Sequence, residues 1–272
     1  MTLDPWSANP VWQNFSSLVR EAHSAEVAPT TMERSHHLTA ALYFGIATLE
    51  AFLNRVMRAH LAASKSEHVI LEVLRKGRFL AKLDKWPLEI IGIRPAFPQQ
   101  QRDLIGLCND VRGNLTHPKT LGYDIYKQLL TVRPDELVDA VATYIVTFHA
   151  AQRTRFPYWI FGWNYLNPSP RTHEIFLIHD QQFSFSLRAL GFDVPASDAI
   201  RSEAWRDLYL KSLEGYIAIK NALDKTSGCE PKAIPFPHQP TLCRRWWMAE
   251  HHRSCGHVSK ESIAAAKRLD NM

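Results

Sequence analysis

The chain has 272 residues, 46 % hydrophobic and 22 % charged, the composition of a folded soluble protein with one large domain or a domain plus an extension. Its net charge of +5 and pI near 9.0 lean toward anionic partners, but Lys and Arg are dispersed and form no basic stripe of the kind a dedicated nucleic-acid binder carries. The four cysteines make no disulfide framework, "MTLDPWSANP" does not read as a secretory signal, and the apolar stretches meet charge well short of about 18 residues, so a cytoplasmic protein without a membrane span is expected.

Read in chain order, the sequence is nearly all helix. Residues 9–27 form a first short helix, followed by "APTTMER" as a loop. The strongest segment runs from 36 to 63, with Leu42, Ile46, Leu49, Leu53, Val56, Met57 and His60 as its principal stripe. At about 1.5 Å per residue it would be roughly 40 Å long. "SEHVILEVLRKGRFLAKLDKW" continues as a third helix, ended by Trp86-Pro87, and "PLEIIGIRPAFP" is a proline-bounded connection with room for a short extended piece. A helix over 99–117 buries Leu104, Leu107, Cys108, Val111 and Leu115 and is stopped by Pro118. Another opens near 134, with Pro134 in its first turn and Asp135 and Glu136 well placed at its N-terminus.

After Pro157 the texture changes. "PYWIFGWNYLNPSP" reads as a tight aromatic elbow or a short helix. "EIFLIHDQQFSFSLRALGF" alternates at "FSFSL" like a strand, while Ile175, Ile178, Phe183 and Leu187 suit a helix, and the helical reading is preferred. Residues 197–225 read as one long helix that Ser197 or Asp198 caps. A Pro-, Cys- and His-rich tail from 227 precedes a last short helix near 259–269.

The chemistry concentrates in "DVRGNLTHPK", the last two turns of the 99–117 helix. Opposite its buried stripe lie Asp110, Asn114 and His117 at helical steps, with Arg112 nearby. On the 36–63 helix, Glu50 falls inside the apolar arc and Asn54 sits one turn on, toward its edge. A carboxylate there needs a partner, and Arg112 and His117 are the natural suppliers if the two helices pack together. Arg112 and His117 are five apart, about 140° round a regular helix, so they share a face only if the guanidinium wraps back or the last turn loosens.

An arginine and a histidine beside one groove suit reactions on phosphodiesters. Arginine holds phosphate oxygens and stabilises added negative charge, while histidine titrates near neutrality and moves the proton of an attacking hydroxyl or leaving oxygen. RNA brings its own nucleophile, the 2′-OH, so this chemistry requires no metal. The alternative is a structural polar network of Glu50, Arg112, Asn114 and His117 that ties two helices together.

"LTAALYFGIATLEAFLNRV", "LAKLDKW" and "LIGLCNDVRGNLTHPK" together resemble the HEPN superfamily of helical domains, over about residues 36–155. That superfamily is marked by an arginine, four to six residues, and a histidine near the end of a late helix, matched here by Arg112 and His117 with four between. Acidic or polar residues often present on the preceding long helix are matched by Glu50 and Asn54. The resemblance implies an all-α, up-down bundle of four or five helices over about 36–155; with the N-terminal helix the expected bundle spans 1–155, and 156–272 is a mainly helical C-terminal extension packed on it. The resemblance also implies a homodimer whose two Arg/His motifs face one another. Many members are metal-independent ribonucleases, without a cofactor, of toxin–antitoxin, phage-defence or RNA-processing systems, with RNA or an antitoxin as partner. Others are non-catalytic interaction modules that bind RNA or protein. On this pattern Arg112 polarises the scissile phosphate, His117 moves protons, Asn114 orients phosphate or histidine, and Glu50 positions Arg112 or His117. Asn54 and Asp110 support them. The sequence departs from the pattern directly after the arginine: Gly113 stands where a polar residue, often asparagine, is expected, and Asn114 comes one position late, displaced about 100° on a helix.

Two other sites compete. Cys229, His238, Cys243, Cys255 and His257 offer zinc ligands, but the spacings are irregular and include no Cys-x₂₋₄-Cys pair, so a docked tail with Trp246 and Trp247 packed is the preferred reading. Trp159, Trp163 and Tyr165 could line a ligand wall, with packing again preferred. No nucleophile elbow and no Gly-rich phosphate loop occurs.

Overall fold

A computed structural model describes residues 9–117, 124–161, 165–166, 176–177 and 199–225. Residues 10–154 form one compact unit, and the described residues from 155 onward belong to a second.

The first unit is an up-and-down helical bundle of α1 (Pro10–Val27), α2 (Thr31–Leu61), α3 (Glu67–Arg75), α4 (Phe79–Ile91), α5 (Gln99–Thr116), α6 (Asp124–Thr131) and α7 (Pro134–Gln152). Its axis is α2, which packs along α1 and also meets α3, α4, α5, α6 and α7. Leu38, Leu42, Ile46, Leu49, Leu53 and Met57, at three- and four-residue steps, are fully buried on it, opposite Phe15 and Leu18 of α1 and Leu137, Val141, Ile145 and Phe148 of α7. Gly45 of α2 faces Leu137 and Val141 of α7, where a Cβ would make ordinary van der Waals contact at 3.5 Å.

Several boundaries differ from the sequence expectation. α2 starts at Thr31, inside the expected loop, because the Glu33 N–H donates to Thr30 Oγ1 at 3.1 Å in an N-cap of Thr-x-x-Glu form. Its stripe runs through Met57 to Leu61, but two expected members fall off it, since Val56 is half-buried and His60 is exposed. The expected third helix is two helices, broken at Gly77, whose φ of 90° an L side chain rarely adopts. Pro87 does not stop α4 but lies within it. It lacks the N–H that would bond to the Leu83 carbonyl, and the Tyr144 hydroxyl donates to that carbonyl instead, at 3.0 Å. Gly92, at φ 74°, ends the helix as a left-handed cap. On α5 the fully buried residues are Ile105, Cys108 and Val111, with Leu104, Leu107 and Leu115 half-buried, because the helix leans on α2, α6 and α7 together. α6 was not expected from the sequence.

In the second unit, a short 3₁₀ helix (Tyr158–Phe161) is followed by a two-residue antiparallel ladder of β1 (Tyr165–Leu166) and β2 (Phe176–Leu177), and then by α8 (Ala199–Leu210) and α9 (Leu213–Lys225). Phe176 and Leu177 are thus extended where a helix was preferred. The long helix expected over 197–225 is broken after Leu210, whose carbonyl accepts the Phe156 N–H at 2.9 Å. Ser212 Oγ then accepts the Gly215 N–H at 3.0 Å, starting α9. Arg155 fixes the other end of this strap, donating to Asp207 Oδ1 at 2.7 and 2.9 Å and to Glu203. Phe156, Phe161 and Tyr216 cluster, with Phe161 and Tyr216 stacked at 5.3 Å. Among the described residues no helix is long and apolar enough to cross a membrane.

Candidate functional site

The residues singled out in "DVRGNLTHPK" lie where α5 ends beside the middle of α2. The chain order of the contacts shows the two helices antiparallel there: Tyr43 meets Thr116, and Glu50 meets Arg112. Both guanidinium nitrogens Nη1 and Nη2 of Arg112 approach Glu50 Oε1 at 3.4 Å, and Nη2 also donates to Asn109 Oδ1 at 3.2 Å. Charge-assisted bonds of this kind commonly run about 2.7–2.9 Å, so Glu50 holds the arginine loosely. The side chains are 25 % and 39 % exposed, and such a pair contributes roughly 0–1 kcal/mol. The arrangement orients Arg112 without saturating it.

Glu50 also faces a second cation. Lys82 of α4 donates to the Leu74 carbonyl at 2.5 Å and lies 4.7 Å from the centre of the Trp86 ring. Burial pushes the Lys82 ammonium below its ordinary range, and the Glu50 carboxylate pulls it partly back. Asn54, one turn beyond Glu50, keeps a buried Oδ1 that accepts no hydrogen bond among the described residues.

At the helix end, Thr116 Oγ1 donates to the Arg112 carbonyl at 2.9 Å, which leaves the Tyr43 hydroxyl to donate to Thr116 Oγ1 at 2.5 Å. His117 caps α5: its N–H donates to the Gly113 carbonyl at 2.9 Å, but its φ of −132° and ψ of 77° have left the helix. Pro118 is the cause, since the residue before a proline is disfavoured in the α region. The expected alignment of Asp110, Asn114 and His117 therefore does not extend to the histidine. His117 is exposed, and its ring makes no hydrogen bond or ion pair with another described residue. Asp110 is exposed and does not pair with Arg112. Asn109 takes that place, one helical turn before the arginine. Asn114 is half-buried.

The structure thus brings Glu50 and Arg112 together and leaves His117 open to solvent at the end of the same helix. Sequence reasoning missed Asn109, Tyr43, Thr116 and Lys82. The i, i+3 spacing of Asn109 and Arg112 was available as a signal. Cys108, nearby, is no nucleophile, since burial raises its thiol to about 12. Of the competing sites, Trp159 is buried, while Trp163, the side chain of Tyr165 and the Cys/His tail of Cys229, His238, Cys243, Cys255 and His257 lie outside the described residues. Among the described residues no group of three or more His, Cys, Asp or Glu is placed to hold a metal ion.

Compared with protein-family models, curated proteins and solved structures, the chain finds no match.

Proposed function

We propose that the 10–154 bundle is a HEPN-like, metal-independent endoribonuclease that acts as a homodimer on RNA. The observation that supports this reading best is the contrast within one helix end. Arg112 is oriented by a loose, off-centre contact to Glu50, and His117 is exposed with its ring engaged by no other described residue. A guanidinium held this way can exchange its weak carboxylate contact for a phosphate oxygen and then stabilise the charge that builds there. His117 takes the proton of the 2′-OH, the 2′-oxygen bonds to phosphorus, and the bond to the 5′-oxygen breaks. The leaving oxygen receives a proton, for which the second copy supplies a second His117. The products are a 2′,3′-cyclic phosphate and a 5′-hydroxyl.

The test is to incubate the purified parent, Arg112→Ala and His117→Ala with a mixed RNA panel in EDTA and analyse the ends. Cleavage should survive chelation, leave cyclic phosphate or its 3′-phosphate hydrolysis product, and vanish in both variants. Cleavage that requires added Mg²⁺, or that persists in both variants, rejects the mechanism.

A second reading, a non-catalytic helical module that binds RNA or a protein such as an antitoxin, is favoured by Gly113 and by the separation of Arg112 from His117. It requires a parent without cleavage in which Arg112→Ala weakens partner binding.

A further inference from the structure

A cleft of about 180 Å³ opens in the first unit between α4, the 92–98 connection, the start of α5 and α7. Asp84, Arg94, Phe97, Gln99, Arg102 and Tyr144 line it. Its charges are not equivalent. Asp84 is engaged by Arg102, whose Nε donates to Oδ1 at 3.0 Å and whose Nη2 donates to Oδ2. Arg94 has no hydrogen bond or ion pair with any described residue. The cleft therefore carries one uncompensated positive charge, at Arg94.

Arg94 also sits on a stiff backbone. Gly92 fixes the end of α4 in the left-handed conformation, Pro95 restricts Arg94 itself, and the Phe97 N–H closes a tight turn on the Pro95 carbonyl at 2.8 Å. The Phe97 ring is then held edge-on against Tyr144, with centroids 5.2 Å apart. Tyr144 in turn is anchored to Leu83 across the Pro87 gap. The backbone that carries Arg94 is thus ordered before a ligand arrives, and only its exposed side chain has to settle on binding.

We propose that this cleft is a phosphate-binding subsite. Its size selects the group. At roughly 30 Å³ per water it has room for about six waters, against the 300–1,000 Å³ typical of pockets that enclose a drug-sized ligand. The cleft takes a group of phosphate size, and the rest of a larger ligand would lie outside its mouth. Arg94 supplies the charged fork, Arg102 the neighbouring guanidinium, and the N-terminus of α5 a favourable field. The phosphate belongs either to a free or terminal phosphomonoester or to an RNA strand. Arg102 and Arg112 are ten residues apart on α5, roughly 15 Å at 1.5 Å per residue, so the subsite is distinct from the Arg112/His117 end. It does not depend on cleavage occurring there.

The experiment titrates the full chain with inorganic phosphate, with acetate, and with a 2′-O-methyl hexanucleotide that cannot be cleaved through its 2′-oxygen, followed by calorimetry and by ³¹P NMR. The parent and the Arg94→Ala and Arg112→Ala variants are compared. Arg94→Ala removes no described hydrogen bond, so its fold should persist, as circular dichroism will check. Phosphate should bind saturably and more tightly than acetate at a site that Arg94→Ala weakens at least tenfold, and that site should persist in Arg112→Ala even where a separate phosphate contact at the other end of α5 is lost. A matching loss of hexanucleotide affinity in Arg94→Ala identifies the strand as the source of the phosphate, and a loss for inorganic phosphate alone identifies a free phosphate. Absence of saturable phosphate binding in the parent, equal binding of acetate, retention in Arg94→Ala, or loss only in Arg112→Ala each overturns the assignment.

Discussion

Two single residues carry effects that can be measured directly. Tyr144 donates to a carbonyl that Pro87 leaves without its helical partner, so the hydroxyl and the proline act as a pair. Tyr144→Phe should cost about 1–2 kcal/mol in chemical denaturation, because the Leu83 carbonyl loses its donor in the interior. In a Pro87→Ala background, where the helix supplies an N–H, the same change should cost less, and equal losses in both backgrounds would refute the coupling. His149 is half-buried against the Phe52 ring at 5.8 Å, bonded to Thr154 at 2.9 Å and repelled by Arg55, and desolvation of the ring lowers it to about 4. The unfolded chain binds this proton near pH 6.5, so stability is lost as pH falls from about 6.5 to about 4, by at most about 1.4 kcal/mol per pH unit. The stability advantage of the parent over His149→Gln should be flat above pH 7 and shrink through that window. The Glu50–Arg112 contact was legible in the sequence because helical phase fixes both positions. Tyr43, Thr116 and Lys82 were not, since each reaches the site through a packing register or a helix break that periodicity does not encode.

Helix existence was legible from apolar steps, while breaks depended on backbone features that the same pattern conceals. Gly77 lies in a charged run that continues the helical period, and Pro87 is tolerated only because a distant tyrosine satisfies Leu83. The start of α2 was readable in principle, from the Thr-x-x-Glu spacing of Thr30 and Glu33. Two glycines distinguish these effects. A Cβ on Gly113 would meet no described residue within 4 Å, and the residue sits in the last turn of α5, so Gly113→Ala should stabilise by about 0.5–1 kcal/mol. A Cβ on Gly215 would overlap the Tyr209 backbone across the α8–α9 break, where no rotamer change gives relief. Gly215→Ala should destabilise by about 1–3 kcal/mol or more. Denaturant midpoints for both variants check the opposite signs, and a stabilised Gly215→Ala would mean that the break is not sterically imposed.

At the scale of the whole molecule the proposed cleavage rests on assembly, and α2 frames it. Its buried stripe serves the bundle, yet Met32, His36, Thr39, Tyr43, Ala47, Glu50 and Asn54 recur at three- and four-residue steps along a different face. Met32 is 85 % and Tyr43 38 % exposed, and from Tyr43 onward the face borders α5 through Thr116 and Arg112. A two-fold contact along this face would be self-complementary and would set two Arg112/His117 ends along one groove, as the proposed cleavage requires. Light scattering on the parent should then give twice the 31.2 kDa chain mass. Tyr43→Asp, which places a charge in the contact, should yield the single-chain mass and lose cleavage while keeping its helical circular dichroism. Tyr43→Phe, which removes only the hydroxyl bonded to Thr116, should remain dimeric. A parent that stays at the single-chain mass across working concentrations removes the composite site, and a dimeric Tyr43→Asp moves the contact to another face.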